Sequence, residues 1–197
     1  GRELGKVRSA GQPGIGIDVL IVDPEGQELP RGEVGEIIVL SPGVMLGYWN
    51  KPEETAKALA RPGREGWMHT GDAGRMDAEG FVFLVDRVKD MIVSGGENVY
   101  SVEVEQAVAK HPAVASCAVI GVPDADWGER VHAVVVLKSG VEASDEEIRA
   151  HCRTLIGGYK CPRSVEFMAA LPVNGAGKVL KTKLREPYWA ERERQIA

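Results

Sequence analysis

Apolar positions along this chain follow two rhythms, and the change comes near residue 86. Before it the pattern is that of strands. Residues 16–23 (GIDVLIVD) and 33–41 (EVGEIIVLS) are rich in Val and Ile, and Asp23-Pro24-Glu25-Gly26 between them is a turn signal. Phe81, Phe83 and Val85 alternate onto one face behind a second turn, Asp77-Ala78-Glu79-Gly80. A short helix is predicted from Pro52 through Leu59, with Glu53 and Glu54 in its first turn. Residues 1–85 therefore read as mostly β.

After Asp86 helices and strands mix. A helix is predicted from Ser101 to about Lys110, with Val104, Ala107 and Val108 on one face. Ser101 is its expected N-cap, Glu103 and Glu105 lie in its first turn, and His111-Pro112 stops it. Strands are predicted at Ala115–Val122, Val131–Leu137 and Val165–Met168. Between the last two, Ser144 and Glu147 make a capping box for a helix with the stripe Ile148, Cys152, Leu155 and Ile156, ended by Gly157-Gly158. Leu180 and Leu184 predict a last short helix. The expected class is α+β: a β-rich piece, 1–86, followed by a small α+β domain, 87–197, with a mixed sheet, flanking helices and a junction at 86–90.

Composition narrows the function classes. A net charge of −5 without a long basic run argues against a nucleic-acid surface. The longest apolar run, Val114–Val122, is interrupted by Ser116 and Gly121 and is too short to span a bilayer. Cys117, Cys152 and Cys161 form no C-x-x-C, and no signal-peptide pattern is present, so a reduced, cytoplasmic protein is expected. The four histidines are scattered, which predicts no metal site. The chain begins at Gly1 without Met and reads as a fragment of a longer one.

Three stretches carry candidate chemistry. Asp86–Ser101 (DRVKDMIVSGGENVYS) contains Gly95-Gly96, where the backbone must bend or admit a ligand; taken alone it is a strand-to-helix turn. His69-Thr70-Gly71-Asp72 reads as a Gly-rich loop before a strand. An Asp after Gly is commonly a turn residue, yet an ionised carboxylate also offers two acceptors to the paired hydroxyls of a ribose. Asn174-Gly175-Ala176-Gly177-Lys178 is not a P-loop, because Pro172 stands where the first Gly is required and Val179 where Ser or Thr is. By itself it is a flexible surface loop with one solvated lysine.

In their order these stretches resemble the motifs of the acyl-CoA synthetases, fatty-acid–CoA ligase-like members of the AMP-binding, adenylate-forming superfamily. Gly35-Glu36-Ile37, and Gly47-Tyr48-Trp49-Asn50 followed by Pro52-Glu53, resemble the end of that family's large domain, so the likeness runs from Gly5 to about Arg185. The resemblance implies that 1–86 is a remnant of the large domain's barrel subdomain and 87–197 a mobile C-terminal lid. It implies a ligase that activates a carboxylic acid, fatty or otherwise apolar, with ATP to acyl-AMP and pyrophosphate, then passes the acyl group to coenzyme A.

The residue roles implied are equally definite. Trp67–Asp72 resembles the ribose motif and puts Asp72 on the ATP ribose; Arg87 matches an arginine that contacts the nucleotide. Lys89 takes the hinge position. Lys178 would be the adenylation lysine, meeting the carboxylate and the α-phosphate as charge builds. Gly95, Gly96 and Trp127 would line the thiol passage, while Tyr159 stacks on the adenine of coenzyme A and Arg163 holds a phosphate. Trp127 is equally well read as a partly buried loop residue. Ala73, Ser101 and Cys161 depart from the family pattern. The phosphate loop, the acid pocket and the Mg²⁺-binding glutamate are expected upstream of Gly1, in a missing N-terminal part. The fragment alone is then expected to be inactive, and its exposed strand edges to pair between copies. Two other readings stay open: an adenylation domain that loads a carrier protein, and a non-catalytic interaction module on the same fold.

Overall fold

The strand pattern before residue 86 folds as an antiparallel meander. In the computed structural model, which describes residues 6–59 and 63–190, β1 (Asp18–Val22), β2 (Val34–Leu40), β3 (Met68–Met76) and β4 (Val82–Arg87) pair in that order. Asp23 closes the β1–β2 connection, its carboxylate accepting the Gln27 N–H at 2.8 Å. Ile21, Ile37, Met76 and Val82 form the core, with Val19, Leu29 and Val39 against it. Helix α1 (Pro52–Leu59) has the predicted bounds and buries no residue.

His69-Thr70-Gly71-Asp72 is not a loop before a strand; it lies inside β3. Glu36 pairs with Ala73 and Ile38 with His69, so the single residue Ile37 of β2 faces three of β3, Thr70, Gly71 and Asp72. The extra residues make a bulge, and Gly71 supplies its left-handed backbone (φ +70°). Turn-type residues sit in a strand here because the strand is bent at that point.

The chain divides into two units between Val88 and Lys89. The second unit holds β5 (Ile92–Ser94), β6 (Glu97–Val99), α2 (Ser101–Ala109), β7 (Val114–Asp124), β8 (Gly128–Leu137), α3 (Asp145–Arg153), β9 (Ser164–Phe167) and α4 (Lys181–Trp189). Its sheet is mixed: β6-β5-β8-β7 antiparallel, with β9 parallel to β8. Both faces of the β7–β8 pair are covered, which explains the near-continuous apolar sequence. Val119, Val131, Ala133 and Val135 pack with α2 and α3 residues such as Val104, Val108, Ile148 and Cys152. The alternate residues Ala118, Ile120, Val122 and Val134 pack against Leu184 of α4.

Two helix ends differ from expectation. Ser101 is the first helical residue of α2 rather than its N-cap. Tyr100 takes that place without a side-chain cap bond, because a single residue joins β6 to the helix. Ser101 is wholly buried and its Oγ accepts a hydrogen bond from Lys181 Nζ at 2.7 Å. Helix α3 has the predicted Ser144–Glu147 capping box but ends at Arg153, before Gly157-Gly158. The Leu155 and Ile156 N–H groups both close onto the Cys152 carbonyl, leaving Leu155 exposed. Gly157 has φ −57°, so it is not a left-handed cap.

Helix α4 is held at several points besides Leu184. Trp189 Nε1 donates to the Gly121 carbonyl (3.0 Å), and Tyr188 OH donates to Glu166 (2.7 Å) beside His132. Burial, then the hydrogen bond to Glu166, pushes the Tyr188 hydroxyl up to about 12, so it remains a donor. Lys181 pairs with Glu105 at 2.7 Å. The three cysteines are free thiols; burial pushes Cys117 up to about 12 and Cys152 to about 11, which makes both unreactive. Among the described residues no helix is long and apolar enough to cross a membrane.

Candidate functional site

In the first unit the β3–β4 register sets Asp72 opposite Arg87. Arg87 Nε lies 2.7 Å from Asp72 Oδ1, but its N–H is not aligned as a hydrogen bond, so the contact is coulombic. The side chains are 43% and 35% exposed, and such a surface pair adds little stability, which leaves both groups open to a ligand. Asp72 and Thr70 line a cavity of about 250 Å³ whose apolar walls include Val19, Ile37, Val82 and Leu84.

The bulge that presents Asp72 is supported from beneath. Thr70 Oγ1 donates to the Ile37 carbonyl (2.7 Å) and accepts the Asp72 N–H (3.1 Å). The buried Glu36 carboxylate accepts His69 Nδ1–H through Oε2 (2.8 Å) and the Gly71 N–H through Oε1 (3.1 Å). Sequence reasoning noted Glu36 only as part of Gly35-Glu36-Ile37. The available signal was an acidic residue set inside the apolar run of β2.

In the second unit Gly95 and Gly96 are the two-residue loop of the β5–β6 hairpin, not a strand-to-helix turn. Both have positive φ (62° and 83°), as a type I′ turn requires. Gly95 N–H donates to the Trp127 carbonyl at 2.9 Å. A Cβ on Gly95 would stand 2.4 Å from Trp127 Cε3, so the indole occupies the space a side chain would need. The Arg163 guanidinium lies 4.0 Å from the centre of the same indole. Three of the residues predicted to bind coenzyme A, Gly95, Trp127 and Arg163, are thus in contact, around a Trp127 that is 42% exposed. Tyr159 is also exposed; its ring partner is the Lys160 ammonium at 5.6 Å.

Lys178 ends a small loop closed by the Val173–Val179 bridge. Asn174 Oδ1 accepts the Ala176 and Lys178 N–H groups (3.0 and 2.9 Å), which fixes the backbone. The Lys178 side chain is exposed and forms no ion pair among the described residues. Leu171 and Val179, flanking the loop, pack on the α4 face of the sheet, whereas the glycine turn and Trp127 lie at its strand ends. Lys89 is exposed in a 3₁₀ turn, Val88–Asp90. Its neighbour Asp90 is buried and accepts from Arg185 of α4 at 2.7 Å.

Residues 103–178 match the C-terminal domain family of AMP-binding enzymes, and residues 2–49 match the AMP-binding enzyme family. The chain belongs to the AMP-binding enzymes. A feruloyl-CoA synthase from an Amycolatopsis species is 49% identical over 183 residues, covering 93% of this chain and 36% of that protein. A medium/long-chain-fatty-acid–CoA ligase of Mycobacterium tuberculosis is 44% identical over 93% of this chain and 33% of its own length. Among solved structures, the o-succinylbenzoate CoA synthetase of Bacillus subtilis, in complex with its acyl-adenylate intermediate, has a TM-score of 0.82 at 35% identity, covering 99% of this chain and 38% of that one. This chain therefore spans about a third of the length of the relatives it matches.

Proposed function

We propose that this chain is the C-terminal part of a ligase that converts a carboxylic acid, fatty or otherwise apolar, to its coenzyme A thioester. A carboxylate oxygen attacks the α-phosphorus of ATP and the bond to the β-phosphate oxygen breaks, giving acyl-AMP and pyrophosphate. The thiol sulfur then attacks the acyl carbon, AMP leaves with the electron pair, and the thiol proton is lost to solvent. Lys178 stabilises the charge of the first step. Asp72 holds the ribose hydroxyls and Arg87 the neighbouring nucleotide oxygens. Gly95, Gly96 and Trp127 admit the thiol, with Arg163 and Tyr159 on the coenzyme's nucleotide. Mg²⁺ accompanies the ATP, held by a residue outside this chain, in a cytoplasmic enzyme.

The observation that carries the reading is the exposed ammonium of Lys178, which forms no ion pair among the described residues, on a loop of fixed backbone. Such a group can be brought to an anion without first breaking an ion pair to a described residue. The C-terminal lid turns about Lys89 between the steps, because one pocket has no room for the ammonium and the thiol passage together. The division at Val88 and Lys89 supports a pivot at that point. Strand β1 is an edge of its sheet, and isolated copies are expected to associate there. The CoA-ligase names of the relatives favour coenzyme A over a carrier protein as acceptor.

The intact enzyme is expected to catalyse acid-dependent exchange of labelled pyrophosphate into ATP and, with coenzyme A added, to form the thioester. Absence of exchange with any of a panel of apolar acids would point to a non-catalytic module. Exchange with acyl transfer only to a carrier protein would point to the other acceptor.

A further inference from the structure

We propose that Glu36 is a positioning residue for the nucleotide: its buried carboxylate holds the Thr70-Gly71-Asp72 bulge in the shape that aims Asp72 at the ribose. This rests on the reading of Asp72 as the ribose ligand.

The bulge is a local problem in hydrogen bonding. With three residues of β3 facing one of β2, the intervening N–H groups lose regular ladder partners. The Asp72 N–H is taken by Thr70 Oγ1, and Thr70 is itself tied to the Ile37 carbonyl. The Gly71 N–H is taken by Glu36 Oε1. The other oxygen of Glu36 holds His69, a ring only 3% exposed at its side chain. A carboxylate buried beside Ile37 and Ile38 is costly unless both oxygens are bonded, and here both are. Glu36 thus joins the two ends of the bulge, His69 before it and Gly71 within it. Meanwhile the Asp72 carboxylate stays open to the cavity.

Removing that carboxylate strands the Gly71 N–H. It also leaves His69 with neither ring nitrogen bonded among the described residues, where its Nε2 is already buried without a partner. The bulge then relaxes and Asp72 moves, while no group that touches the reacting atoms is changed. Ribose contacts made equally in the ground and transition states appear in KM, so the loss should fall there and spare kcat.

The test uses the intact enzyme with ATP and 3′-deoxy-ATP in the pyrophosphate-release assay. Asp72→Asn is expected to raise KM for ATP and to erase the preference for ATP over the deoxy analogue. Glu36→Ala is expected to do the same in kind, raising KM by about 10- to 100-fold, with Glu36→Gln, which can still accept the Gly71 N–H, recovering part of the preference. The double variant Glu36→Gln with Asp72→Asn should be no worse than Asp72→Asn alone. If Asp72→Asn moves KM and the preference but the folded Glu36→Ala protein, which has lost the acceptor for the Gly71 N–H, matches wild type in both, the positioning role is overturned and the ribose reading stands. If the two losses add in full in the double variant, Glu36 acts independently of Asp72 and the proposal also fails. If Asp72→Asn leaves both quantities unchanged, the ribose reading itself falls and takes this proposal with it.

Discussion

Lys178→Ala in the intact enzyme is expected to slow acyl-AMP formation by about 10²- to 10³-fold and to leave thioester formation from supplied acyl-AMP close to wild type. The asymmetry follows from where the side chain sits. Its ammonium is exposed and has no ion pair among the described residues, so removing it costs no packing. The loop's shape rests on Asn174 and on the Val173–Val179 bridge, neither of which involves the lysine side chain. What is lost, on this account, is a single positive charge beside the attacking carboxylate and the α-phosphate oxygens. The thiol step discharges a bond already activated and, on this account, takes place with the lysine turned away. Pyrophosphate release and coenzyme A acylation, measured separately, check it. Equal losses in the two half-reactions would refute the assignment.

Arg185→Ala is expected to destabilise the second unit by about 3–5 kcal/mol. Arg185 and Asp90 are 10% and 12% exposed at their side chains, 2.7 Å apart, and separated by 95 residues of sequence. Truncating the arginine leaves a buried carboxylate with its charge uncompensated. The pair also ties α4, which begins three residues after Lys178, to the turn that holds Lys89. Denaturant unfolding followed by the second unit's tryptophans measures the cost. The double replacement Asp90→Leu with Arg185→Met should recover most of it, because no unpaired charge then remains. A loss below about 1 kcal/mol for Arg185→Ala, the worth of a surface pair, would show that the pair is not buried in solution.

What could be read from the residues divides along physical lines. Features set by neighbours in sequence were legible: the β1 and β2 runs, the Asp23 turn, α1, and the Ser144–Glu147 box. Each depends on side chains within a few positions of one another. Features set by register were not. The His69–Asp72 stretch reads as a loop because Gly and Asp break a strand pattern, and only the pairing with β2 reveals a bulge. Gly157-Gly158 looks like a helix end, yet α3 stops earlier where Cys152 captures two N–H groups. Ser101 has the chemistry of an N-cap, but Lys181, 80 residues on, claims its oxygen.

The candidate site shows the same split. Lys178, Asp72 and Arg87 were proposed from a family resemblance, and the adjacency of the last two appears only when β3 and β4 pair. Gly95 and Trp127 were named together on the same resemblance. Their contact, and the Arg163 guanidinium over the indole, depend on the β5–β6 turn meeting the β7–β8 connection. Glu36 was quoted without a role because a glutamate in a strand says nothing of what lies opposite.

The central claim is that one lid serves two chemical steps by turning at Lys89. The most direct measurement places one spin label on each unit of the intact enzyme, at exposed positions away from the site residues, and records their separation in two states. One state holds a non-hydrolysable acyl-AMP analogue alone, and the other holds the analogue with coenzyme A. The account predicts two distinct distance distributions, with coenzyme A shifting the population from one to the other. A single distribution, unmoved by coenzyme A in an enzyme that binds it, would contradict it.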